Sequence, residues 1–67
     1  MGQLTAKERV EQELKELNEK TDKLSRFIFS VRFEELDDLS KSLLQVQHTT
    51  MLSYSYILKC RLDNWKD

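Results

Sequence analysis

Proline is absent from this 67-residue chain, and Gly2 is its only glycine. The turns of an all-β fold draw on both residue types, so nothing punctuates the interior as such a fold requires, and the composition points to helix. Cys60 is the only cysteine and His48 the only histidine, which excludes an internal disulfide and a Cys/His metal cluster. No run approaches the ~20 apolar residues of a membrane span. The stretch from Met1 to Arg9 is charged and lacks the apolar centre of a signal peptide. Eleven Lys/Arg stand against twelve Asp/Glu, a net charge of −1, so neither duplex nucleic acid nor an anionic membrane would be held by general electrostatics. These absences lead us to expect a cytoplasmic protein with its thiol in a reducing compartment, and no metal or cofactor.

A chain this short forms one domain, here taken as residues 1–67, and buries only ~60% of the surface its unfolded form exposes. With disulfides and metals excluded, oligomerisation is the remaining common reinforcement. Thr5-Ala6-Lys7-Glu8 has the form of a capping box and predicts the start of a first helix over about 5–30. Val10, Leu14, Leu17, Thr21, Leu24 and Ile28 recur at alternating steps of four and three, the spacing of a narrow coiled-coil seam. The other faces are charged, and Glu11–Lys15, Glu16–Lys20 and Glu19–Lys23 are spaced as i, i+4 pairs on a solvated surface.

Helix propensity drops where Phe27 to Phe33 crowd aromatic and β-branched residues together, which predicts a bend at about Ser30 to Leu36. A strand there would have no partner. Phe33 and Leu36 are instead expected to plug the closed end of a hairpin. Asp37 is suited to cap a second helix over about 38–64, with Asp38 near its positive end. The expected fold is therefore all-α, an antiparallel two-helix hairpin that assembles into an oligomeric helical bundle.

The second helix carries more apolar columns than the first can cover. One consists of Leu43, Thr50 and Ile57, flanked by Leu39, Val46 and Cys60; another of Leu44, Met51, Leu58 and Trp65, taken as the oligomer interface. Between them run Ser40, Gln47, Tyr54 and Arg61, all capable of hydrogen bonding. Together the columns span roughly 200° at about 100° per residue, against a two-column seam on the first helix. A surface of this kind marks an interaction site, and a symmetric dimer packed as a four-helix bundle is the simplest cover for it.

Gln47, Tyr54 and Arg61 follow one another at heptad spacing on one face. As ligand contacts, the ring would stack on a base and the guanidinium would fork onto a phosphate. As structural residues, they would form a polar layer that fixes register between helices. Tyr56 and Lys59 face away from this column, either lining a groove between chains or standing exposed at its rim. No nucleophile, base and orienting group can be assembled around His48, so no catalytic residue is assigned and enzymatic activity is not expected. Glu34-Glu35 and Asp37-Asp38 are read as bend and cap residues rather than a divalent-cation site.

Leu14 to Leu24, then Phe33-Glu34-Glu35-Leu36, then Leu43-Leu44 followed by Gln47, Met51, Tyr54, Leu58 and Arg61, resemble a family of very short phage-encoded proteins related to a crAss-like phage gene product. The resemblance covers about Val10 to Leu62, and the chain departs from it where Leu39-Ser40-Lys41 replaces much of an acidic run. It implies a phage accessory protein in the host cytoplasm, of a kind that often counters host defence. The architecture is also similar to the helical-hairpin sponges with which phages sequester cyclic-nucleotide alarm signals (anti-CBASS proteins), holding ligand between chains. A shared shape does not establish a shared activity. The expected partners are therefore another copy of the chain and a cyclic nucleotide. The alternatives are a host defence protein inhibited by docking of the second helix or of Trp65, and a structural coiled-coil assembly factor.

Overall fold

The computed structural model describes residues 2–66 and consists of two long antiparallel helices joined by a single helical turn. The first, α1, spans Ala6–Ile28; α2 is the short turn Val31–Glu34; α3 spans Asp38–Asp63. No strand occurs among the described residues, so the aromatic stretch before α2 resolves as a bend. The hairpin measures 48 × 26 × 15 Å.

Both long helices start where their capping residues dictate. The Thr5 hydroxyl accepts from the Glu8 amide at 3.1 Å while the Glu8 carboxylate accepts from the Thr5 amide at 2.9 Å, which completes the capping box. Asp37 accepts from the Ser40 amide at 2.7 Å and caps α3 in the same way. Hydrogen bonding to the charged form holds the Glu8 carboxyl below its ordinary range, mainly through Thr5, and does the same for Asp37 through Ser40.

The bend needs no glycine because no residue in it has positive φ. Phe29 ends α1, the Ser30 hydroxyl donates to the Phe27 carbonyl at 2.6 Å, and the α2 turn brings Phe33 back beneath the hairpin. Phe33 is buried, edge-on to Phe27 with ring centroids 6.3 Å apart. The Lys41 ammonium lies 5.9 Å over the Phe33 ring and 3.5 Å from Glu34, closing the plug from the α3 side. Leu36 is half-buried beside it.

The α1 seam is as expected: Thr21 is buried, its hydroxyl satisfied by the Leu17 carbonyl at 2.7 Å, and Val10, Leu14, Leu17, Leu24 and Ile28 are half-buried around it. From α3 the seam receives Leu44, His48, Met51, Ser55, Leu58 and Leu62, again at steps of four and three, and Trp65, just past the end of α3, continues the spacing. Leu58 has no exposed surface at all, and Leu44, Met51 and Trp65 are half-buried. The column expected to meet another chain thus closes the hairpin itself, because α1 is just wide enough to cover one column. The other column is left outside, with Leu39 68%, Leu43 60%, Val46 63% and Ile57 52% exposed. None of the three Glu–Lys spacings on α1 forms an ion pair; the pairs present among the described residues are Asp22–Arg26 and Glu34–Lys41. Such pairs gain little in water, which competes for both ends.

Replacing Leu58 with Ala should cost ~2–5 kcal/mol, the range for emptying a buried leucine site, and collapse the helical circular dichroism signal at a lower denaturant concentration. Leu43→Ala should leave the hairpin of a single chain nearly unaffected. The two caps make a separate prediction about acid. Carboxyls whose folded-state titration is depressed stabilise fully above the ordinary carboxylate range, and that support is lost as pH falls through the lowered folded values. Helicity should therefore decline in acid. Asp37→Asn, which keeps an acceptor but cannot titrate, should reduce the decline.

Candidate functional site

Two hydrogen bonds tie the flanks of the α1–α3 seam. On one flank the Tyr54 hydroxyl lies 2.6 and 2.9 Å from the two carboxylate oxygens of Glu13 and donates to that carboxylate. On the other, Ser55 donates to the Asn18 side-chain oxygen at 2.6 Å. In an antiparallel hairpin folded at about residue 35, residues whose numbers sum to about 70 lie side by side, and both pairs meet that condition to within a turn.

Tyr54 is 41% exposed, with its ring on the surface and its hydroxyl committed to Glu13. Donation to Glu13 and the nearby negative charge raise its phenol above the ordinary 10.0, while the Arg61 guanidinium pulls it down. Tyr54 is thus the point at which an acid from α1 and a base from α3 converge. Arg61 is exposed, and so is Gln47, whose amide reaches only the Met51 sulfur at 3.9 Å. Ser40, the fourth member of the column, is half-buried near the closed end. The column is therefore not sealed within the chain. It runs along an open edge between the closed seam and the exposed Leu39–Leu43–Val46–Ile57 stripe.

Sequence reasoning did not anticipate Glu13. It flanks the seam residue Leu14, and the register of the hairpin would have placed it opposite Tyr54. Nor did it anticipate that His48 and Ser55 enter the inner seam; their spacing with Leu44, Met51 and Leu58 was the signal. No group of His, Cys, Asp and Glu suited to a metal ion occurs among the described residues. None of their helices is long and apolar enough to cross a membrane.

A family model described as Sequestin matches residues 4–64, which takes in both long helices and the bend. The chain belongs to the Sequestin family. Neither the curated proteins nor the solved structures gave a match. The family match covers the capping box, the seam and the Tyr54–Glu13 pair alike, so it applies to the whole hairpin rather than to one helix.

The Tyr54–Glu13 bond can be tested by titration. A phenol held protonated in the fold stabilises it fully below the ordinary tyrosine value, and this contribution is lost as pH rises through the raised one. Ultraviolet difference titration of the wild type against Tyr54→Phe should give Tyr54 a later ionisation than a free tyrosine. Glu13→Gln should bring it back toward the ordinary value.

Proposed function

We propose that the chain acts without catalysis, by stoichiometric sequestration of a small ligand. The observation that carries this reading is the family match over residues 4–64, since the word Sequestin denotes binding and holding. The finer version is a phage-type antagonist of host defence that removes a cyclic nucleotide signal in the host cytoplasm. Tyr54 would stack on or hydrogen-bond a base, Arg61 would fork onto a phosphate and Gln47 would read an edge. A phosphate oxygen is also a competent replacement for the Glu13 carboxylate as acceptor of the Tyr54 proton.

In this proposal the binding unit is an oligomer. The chain has 5642 Å² of accessible surface, whereas a compact monomer of 8.0 kDa would have about 4,450 Å². The excess, about 1,200 Å², is comparable with the total surface a small stable interface removes. The exposed stripe Leu39, Leu43, Val46, Thr50 and Ile57 has its own heptad spacing and suits another copy of α3. A copy seated on that stripe would border the Gln47–Tyr54–Arg61 column and turn its open edge into a cleft between chains. The same stripe also favours a second reading, in which it docks on a host protein and no small ligand is involved.

Calorimetric titration with a panel of cyclic di- and trinucleotides should give saturable binding of at least one member. Arg61→Ala should weaken that binding by about tenfold or more, as expected for loss of a charge-assisted hydrogen bond. Absence of heat across the panel would remove the cyclic-nucleotide version. A single stoichiometric host protein retained by the chain, and lost in Val46→Glu, would then favour the docking version.

A further inference from the structure

A second concave surface lies at the closed end, on the flank away from Tyr54. It is a groove of about 210 Å³ between the end of α1 and the first half of α3, lined by Ser25, Ile28, Phe29, Gln45, His48 and Thr49. We infer that this groove is a nucleobase-binding site, with Phe29 as the stacking platform and Gln45 and His48 as the groups that read the edge of the base. The inference rests on the sequestration reading for its ligand class, but on different residues.

Phe29 is 88% exposed, the most exposed of the large hydrophobic residues, although it stands next to a bend whose other phenylalanines pack together. Its ring contributes nothing to the Phe27–Phe33 plug. An aromatic face held at the mouth of a groove by a helix end is a sequence-tolerant platform for a base, because every base has a π-face. Gln45 and His48, which line the groove with it, make no side-chain hydrogen bond among the described residues, so their polar groups are free to meet a ligand. His48 is half-buried, and no buried side-chain nitrogen or oxygen among the described residues lacks a partner, so the imidazole nitrogens reach solvent and are open to a ligand in the groove. An amide offers a donor and an acceptor side by side, and an imidazole offers one of each across the ring. That pattern matches the mixed edge of a purine or pyrimidine better than it matches a purely apolar ring or an anion. No Lys or Arg lines the groove, so a phosphate is not what it selects.

Size points the same way. At about 210 Å³ the groove is smaller than the about 300–1,000 Å³ of sites for drug-sized ligands, which fits one ring system rather than a whole dinucleotide.

The test uses the full chain with adenosine and guanosine, which carry a base and no phosphate, followed by NMR. Ring-current shifts should appear at the Phe29 and His48 side chains for at least one nucleoside. Phe29→Ala should weaken binding about tenfold or more, Gln45→Ala should alter the preference between the two nucleosides, and Tyr56→Phe, at an exposed residue outside both sites, should leave binding unchanged. Phe29 and Gln45 are exposed, so circular dichroism should show both variants folded. Shifts confined to the Tyr54–Arg61 edge, or no shift at millimolar nucleoside, would overturn the groove as a base site. The two readings separate in the cyclic-nucleotide titration. Equal cyclic-nucleotide binding by wild type and Phe29→Ala refutes the groove and leaves sequestration standing. Nucleoside binding at Phe29 with no cyclic nucleotide bound supports the groove and refutes the cyclic version.

Discussion

An α-helix covers only a strip of its neighbour about one seam wide, and in this chain a helix with one seam is paired with a helix that has two. The inner seam of α3, from Leu44 to Leu62, takes all the cover α1 can give and buries Leu58 completely. The outer stripe, from Leu39 to Ile57, gets none. Apolar surface removed from water is worth about 25 cal/mol per Å² before the costs of association, so leaving such a stripe in solvent forgoes a large part of the stabilisation a chain of this size can obtain. A hairpin with only Phe33 and Leu58 as buried hydrophobic residues among those described has little reserve.

Polar groups keep this thin interface in register. Tyr54–Glu13 and Ser55–Asn18 cross between α1 and α3 on opposite sides of the seam, and each would be broken by sliding one helix a turn along the other. Apolar seams with heptad spacing tolerate such slips, and polar cross-links discriminate against them. The proposed function gives the same Tyr54 a second role, as a ligand contact at the open edge of α3. The two roles would be compatible, because a ligand oxygen could take the place of the Glu13 carboxylate as acceptor without moving the helices.

Much of this architecture was readable in the sequence because it rests on local rules. Thr5 with Glu8 and Asp37 with Ser40 announce both helix starts, and the Val10-to-Ile28 spacing announces the seam. The crowding of Phe27 to Phe33 announces the bend, although the turn of α2 within it was not foreseen. The choice between the two apolar columns of α3 was not readable, since both have the same period and α1 could have covered either. That choice is a tertiary effect, made by packing that no local spacing encodes. The site was readable as a column but not as a pair, because Glu13 lies 41 residues from Tyr54 and looks like any solvated acid on α1. Phe29, surrounded by packed aromatics in the sequence, gives no sign there that its ring stays in solvent.

The chain belongs to the Sequestin family and leaves a stripe on α3 exposed; under the proposed function, copies of the chain would associate through Leu39, Leu43, Val46 and Ile57 and hold ligand along the borders of that contact. The most direct test is the native mass of the purified chain across a wide range of concentration. The account predicts a mass that is a multiple of 8.0 kDa and returns to the single-chain value in Val46→Glu. A well-folded wild-type monomer that persists at high concentration would contradict it.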